Sequence, residues 1–119
     1  MVHFGVICPA AIGHSNPMVA LAAELVQRGH RCTFFQVADW EKELLKHGAD
    51  IQPIGVEEFP LGTWPAVLER LGRTAGLESL KLTIQIYCRM QEIICRDVPP
   101  AARRLGIDAP PPGASVDAL

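Results

Sequence analysis

The chain has 119 residues, 49% of them hydrophobic, and this length supports one domain around one core. A net charge of -2 leaves no basic footprint, so nucleic acid is excluded as an expected partner. No apolar run is long enough to cross a bilayer as a helix.

The amino terminus carries no basic leader, and Pro9, Gly13 and Asn16 interrupt its apolar stretch, which disfavours a secretory signal. Cys8, Cys32, Cys88 and Cys95 form no C-x-x-C pair. All four are expected to be small core hydrophobes in a reducing compartment, hence a cytoplasmic location. The histidines and cysteines lack metal-ligand spacing, so no metal site is expected.

His3 to Cys8 reads as a first strand, its near-continuous apolar run suiting burial on both faces of a parallel sheet. A tight loop follows, Pro9-Ala10-Ala11-Ile12-Gly13-His14-Ser15-Asn16. Asn16 is expected to cap the next helix and Pro17 to occupy its first turn. His14 then stands where a strand's carboxyl end meets a helix's amino end, the crevice in which open α/β sheets bind ligands. A positioned, titratable ring there is a candidate general base.

Pro17 to Arg28 reads as a helix with Val19, Ala22, Ala23 and Val26 on one face, and Gly29 stops it. Arg31 to Val37 is a second strand. Asp39 is expected to cap a second helix, with Glu41 and Glu43 early, Lys46 and His47 late and Gly48 at its end, an order that complements the helix dipole. Asp50 to Ile54 is a third strand, and Pro53 assigns it to a sheet edge. This β-α-β-α-β order predicts an α/β domain with a Rossmann-like, doubly wound parallel sheet.

Gly55 to Gly62 reads as irregular and Trp64 to Arg73 as a short helix. Leu77 to Asp97 predicts a long helix whose apolar residues cover more than one face. It should therefore be largely buried or line a pocket. Pro99 and Pro100 are expected to end it, with a separate helical piece over Ala101 to Leu105. Arg103-Arg104, the only adjacent basic pair, reads as solvated surface. Gly106 to Ala109 resembles the entry to a fourth strand, which Pro110-Pro111-Pro112 interrupts, making 110–119 a proline-rich irregular tail.

Cys8-Pro9, Gly13-His14-x-Asn16-Pro17, Gln27-Arg28-Gly29-His30-Arg31, Phe59-Pro60-Leu61-Gly62 and the long amphipathic helix together resemble one family. It is the amino-terminal, acceptor-binding domain of the family 1 glycosyltransferases of two-domain GT-B fold. The likeness is nearest to the bacterial zeaxanthin, macrolide and sterol glycosyltransferases, and it covers about residues 1–109, with nothing corresponding to the carboxyl-terminal donor domain.

The resemblance implies an inverting hexosyl transfer from a nucleotide-sugar, a UDP-sugar, to a hydroxyl of a small lipophilic acceptor, without a metal. It implies that His14 is the base and that Ile12, Gly13 and Asn16 contact the acceptor. The family orients its base with an aspartate at the end of the fourth strand, an arrangement that fixes the tautomer. Asp108 comes early for that position, and Asp117 lies in the tail. Because nothing in the sequence corresponds to the donor-binding half, the isolated chain is expected to be inactive. Two alternatives stand beside this reading: a non-catalytic domain that pairs with a separate donor-binding chain, and a remnant of a longer gene. A dinucleotide-binding reading is weak, because Gly-x-Gly-x-x-Gly is absent after Cys8.

The other histidines have simpler readings. His30 sets a turn after Gly29, His47 is a favourable charge at a helix end, and His3 is a strand-end residue. Trp40 and Trp64 are expected to pack at helix starts, with acceptor contact as the competing role.

Overall fold

A computed structural model describes residues 1–107, with only the backbone of Ile12. Asp108, Asp117, Pro110-Pro111-Pro112 and the interrupted fourth strand lie outside the described residues. The elements run β1 (His3–Ile7), α1 (Ile12–Gln27), β2 (Arg31–Gln36), a 3₁₀ turn (Ala38–Trp40), α2 (Glu41–Lys46), β3 (Asp50–Pro53), α3 (Thr63–Gly72) and α4 (Gly76–Leu105). The fold is α/β, and its three described strands pair in parallel in the order β1-β2-β3.

Helices cover both faces of this sheet, and the alternation of side chains along β2 shows how. Phe34 and Phe35 are consecutive, are 1% and 2% exposed, and must point to opposite faces. Phe34 packs with Val6, Val19, Ala22 and Leu44 beneath α1 and α2. Phe35 packs with Trp64, Met90 and Ile93 beneath α3 and α4. Gly5 lies opposite Thr33 in the ladder, and a Cβ there would come within 3.0 Å of the Phe35 ring. Glycine at this point makes room for the aromatic side chain.

The doubly buried strand is β2, not β1. In β1 only His3 and Val6 are buried, while Phe4 and Ile7 are exposed. Among the described strands β1 has a neighbour on one side only, so its apolar run is not matched by two-sided cover. His3, the first residue of β1, is buried, and its Nε2 lies 2.7 Å from Thr33 Oγ1. β3 occupies the other edge, where Pro53 pairs with Gln36 at the end of the ladder. A missing backbone donor is tolerated there.

Three helix boundaries depart from the expectation. α1 begins at Ile12, with extended Ala11 as its cap, so Asn16 is an exposed helical residue and not the cap. Pro17 consequently sits one and a half turns inside, where it removes the bond to the Gly13 carbonyl. Asp39 caps neither the 3₁₀ turn nor α2. Its carboxylate instead accepts the N–H groups of Gly62 (2.8 Å) and Trp64 (3.3 Å), at the start of α3. α4 runs through Pro99 and Pro100 to Leu105. Buried Val98 and Ala101, packed in the same core cluster as Phe35, hold the helix together across the two prolines. Tertiary packing here overrides the local breaker signal.

Burial along α4 is uneven, so of the two expectations for this helix, largely buried or lining a pocket, the structure matches the second. Met90, Ile93, Val98 and Ala101 are buried, whereas Leu77, Leu80, Ile84 and Tyr87 are exposed. Cys88 and Cys95 are exposed as well and are not core residues; Cys32 is buried and Cys8 half-buried. Both exposed thiols lie on the side of α4 away from Met90 and Ile93.

Candidate functional site

The segment leaving β1 cannot continue the sheet, because Pro9 has no N–H and α1 starts at once. Cys8, Pro9, Ala10 and Ala11 therefore form a short turn at the carboxyl end of the strand. Two buried polar side chains fix it. Ser15 Oγ donates to the Pro9 carbonyl at 3.1 Å from the first turns of α1. Gln36 Nε2 donates to the Cys8 carbonyl at 3.0 Å, and its Oε1 accepts the Val37 N–H, also at 3.0 Å. The Gln36 amide is thus satisfied on both sides and ties the ends of β1 and β2 together.

This turn floors a cavity of about 270 Å³. Its walls come from α3, through Trp64, Val67 and Leu68, and from α4, through Tyr87, Met90 and Ile94. Trp64 is buried, donates Nε1–H to the Ala10 carbonyl at 3.0 Å, and meets Phe59 edge-on at 5.4 Å. Its packing and its place in the cavity wall are one arrangement, because the hydrogen bond ties it to the turn that floors the cavity. The lining is almost wholly apolar, with Gln91 at the rim as the main uncharged polar side chain. Cys8 also lines the cavity. Burial pushes its thiol up from the ordinary cysteine range, only partly offset by Ser15 and Gln36.

The loop that leads into α3 is clamped to α4 by charge. Arg96 reaches Glu58 at 2.6 and 3.1 Å and Asp97 at 2.7 Å. Asp97 in turn accepts the Gly55 N–H at 2.8 Å. Arg96 holds the Glu58 and Asp97 carboxyls below the usual carboxylate range, and the two acids push the guanidinium up. Gly55 has φ +60°, and a Cβ there would approach Ile93 to 3.1 Å. Both the backbone geometry and the close approach require glycine.

His14 stands in the first turn of α1, not in a preceding loop. Its N–H bonds back to the Ala11 carbonyl at 3.0 Å, and its side chain is exposed. Gly13 and Asn16 are exposed in the same turns. None of these three lines the cavity, whose nearest wall residue in the chain is Ala11. Ser15, Gln36 and Phe59 were not singled out as site residues by sequence. Their signal is weak, since nothing local marks a serine or glutamine as a turn clamp. The remaining histidines lie elsewhere: His30 Nδ1 accepts the Val2 N–H at 3.1 Å beside Phe4, and His47 faces Glu43 at 3.5 Å. Trp40 is half-buried between the two core clusters. Among the described residues no group of three or more His, Cys, Asp or Glu side chains is placed to hold a metal ion. No described helix is long and apolar enough to cross a membrane.

No protein-family model matches the chain. It is similar to the zeaxanthin glucosyltransferase of Pantoea ananas, with 33% identity over 108 residues, which cover 91% of this chain and 25% of that protein. It is also similar to the zeaxanthin glucosyltransferase of Pseudescherichia vulneris, with 27% identity over 112 residues, covering 92% of this chain and 25% of that protein. The chain spans about a quarter of the length of these curated relatives. It resembles the N-terminal part of a glycosyltransferase.

Proposed function

We propose that these residues form the acceptor side of an inverting glycosyltransferase that moves a hexose from a nucleotide-sugar to a hydroxyl of a lipophilic small molecule. One observation carries the reading: an apolar cavity opens at the carboxyl end of β1, and its wall at Ala11 is one helical turn from His14. The apolar body of an acceptor fits the cavity between Trp64, Met90 and Ile94, leaving a hydroxyl at the mouth. One turn of helix is about 5.4 Å, so a hydroxyl emerging past Ala11 comes within reach of a side chain on that turn.

In this reading His14 accepts the hydroxyl proton. The acceptor oxygen then bonds to the anomeric carbon as the bond from that carbon to the nucleotide diphosphate breaks, inverting the configuration. Ser15 and Gln36 are positioning residues, because they fix the Cys8–Ala11 turn that leads into α1, whose first turn carries His14. We assign the nucleotide-sugar to a complementary domain. The likeness to enzymes four times the matched length supports that division.

The test is a chimera in which residues 1–107 replace the matched N-terminal part of the Pantoea ananas enzyme, assayed for glucose transfer from UDP-glucose to zeaxanthin. The chimera should transfer glucose and the 119-residue chain alone should not. His14→Ala in the chimera should lower turnover by roughly 10²–10⁴-fold, the usual contribution of a general base. Turnover close to that of the parent chimera would remove His14 from the chemistry.

A further inference from the structure

A second cleft lies between α3 and α4. Val67 and Ile86 line both it and the cavity already described, so this pair of side chains separates the two. The second cleft has a volume of about 270 Å³, the same as the first, but a different chemistry. Its apolar floor is Phe59, Val67, Leu82 and Ile86, all buried or half-buried. Its rim is Arg70, Gln85 and Arg89, all exposed. Helical spacing produces this mixture. Leu82, Gln85, Ile86 and Arg89 stand at i, i+3, i+4 and i+7 of α4, and Val67 and Arg70 at i and i+3 of α3, so each helix contributes one face that is apolar and cationic at once.

We propose that this cleft is a binding site for a small organic carboxylate with an apolar body. The inference is independent of the acceptor-side reading, since it concerns a different opening and an ionic ligand. Two observations select that ligand. The first is charge. Among the described residues no acidic side chain lines the cleft, although the chain as a whole carries a net charge of -2. Arg89 is shared between Glu92 at 3.0 Å and Glu58 at 4.0 Å, both outside the lining. Arg70 has no carboxylate partner among the described residues, because its neighbour Glu69 pairs with Arg73 instead. A guanidinium without a counter-ion attracts a single negative charge, and its planar fork matches a carboxylate with two parallel hydrogen bonds. The second observation is the floor. An inorganic anion on the rim would leave Phe59, Leu82 and Ile86 facing water, whereas an apolar body attached to the carboxylate removes that surface from water. An uncharged apolar molecule gains nothing from Arg70. It is better matched to the first cavity, which no charged residue lines.

The test is a titration of the intact chain with octanoate, followed by the side-chain N–H signals of Arg70, Gln85 and Arg89 in nuclear magnetic resonance spectra. Octanoate should shift these signals to saturation. Inorganic phosphate, which has the charge without the apolar body, and octanol, which has the body without the charge, should each shift them far less. Arg70→Gln should weaken octanoate roughly three- to tenfold, the upper end for an exposed but bidentate pair, and Arg70→Lys should recover part of the loss. Arg103→Gln, at an exposed arginine outside the cleft, should change nothing. Equal octanoate affinity in wild type and Arg70→Gln would overturn the proposal, as would octanoate shifts confined to the first cavity or an absence of binding. Phosphate binding as tight as octanoate would reduce the cleft to an adventitious ion site only. Sedimentation covers the remaining occupant: a wild-type dimer that Arg70→Gln dissociates would assign the cleft to a second copy and refute the proposal.

Discussion

Asp39 joins two parts of the chain that sequence alone keeps apart, and its removal tests how the cavity wall is held. Its carboxylate accepts two backbone donors at the start of α3, 2.8 Å from Gly62 N and 3.3 Å from Trp64 N. Asp39→Ala leaves both without this acceptor and removes a negative charge from the positive end of the helix. Losing an N-terminal cap costs about 1–2 kcal/mol, and the charge–dipole part of that is about 0.3–1 kcal/mol at a half-exposed site. For a domain of this size each kcal/mol lowers Tm by about 3–6 °C, so the expected loss is roughly 3–12 °C. Asp39→Asn keeps one acceptor oxygen and should lose about half as much. Thermal unfolding by circular dichroism gives the global figure, and amide hydrogen exchange locates it. Exchange should quicken at Gly62 and Trp64, while the amides of 42–45 in α2 keep their protection. A Tm within about 1 °C of wild type, or loss of protection in α2 in place of α3, would refute the assignment of Asp39 to the α3 terminus.

Two further outcomes follow from the charge clamp and the thiols. Glu58 and Asp97 have lowered folded-state values, so their contribution is present above the unfolded carboxylate value and is lost as pH falls through the depressed ones. Acid unfolding should therefore set in only below about pH 4, and Arg96→Leu should move its midpoint upward; an unchanged midpoint in an acid titration would deny the clamp any role. A thiol-reactive disulfide reagent should modify Cys88 and Cys95 quickly and Cys32 only on unfolding, with Cys8 slow because burial pushes its thiol up. Four equally fast thiols in the folded protein would contradict the packing of the β1–β2 face.

Much of the framework was legible because it rests on local periodicity. The parallel β-α-β-α-β order, the edge position of Pro53 and the glycine stops after α1 and α2 each follow from a few adjacent residues. The failures share a cause. Asn16, Asp39 and the Pro99-Pro100 pair all carry strong local signals, and all three are overruled by partners distant in sequence. Ser15 fastens the first turns of α1 to Pro9, so the helix begins before Asn16. Asp39 finds donors 23 and 25 residues away. Val98 and Ala101 are anchored in the core on either side of the prolines, so α4 continues through them. Cys88 and Cys95 were misplaced for a related reason: hydrophobicity alone does not say which face of a long helix meets the sheet. The cavity was only half legible: the apolar faces of the long helix suggested burial or a pocket, and Trp64 a packing or contact role, but Trp64, Met90 and Ile94 read equally well as plain core.

The two faces of the sheet explain why the cavity lies where it does. Beneath α1 and α2 the covering side chains are small or aliphatic, Val19, Ala22 and Leu44, and they close directly on Phe34. On the other face a ten-residue helix, α3, meets a thirty-residue one, α4, and the shorter cannot cover the longer along its length. Trp64 makes the mismatch an opening. Its indole is hydrogen-bonded to the Ala10 carbonyl and meets Phe59 edge-on, so this one large side chain links α3 to the turn after β1 and lines the cavity between them. Leu80 and Ile84 are bare for a different reason: they stand on another face of α4 from Ile86, which packs with Val67 of α3 in the core. The cavity therefore lies on the α3–α4 face of the sheet, where Trp64 stands between helix and turn, and not beneath α1 and α2, where small side chains close on Phe34.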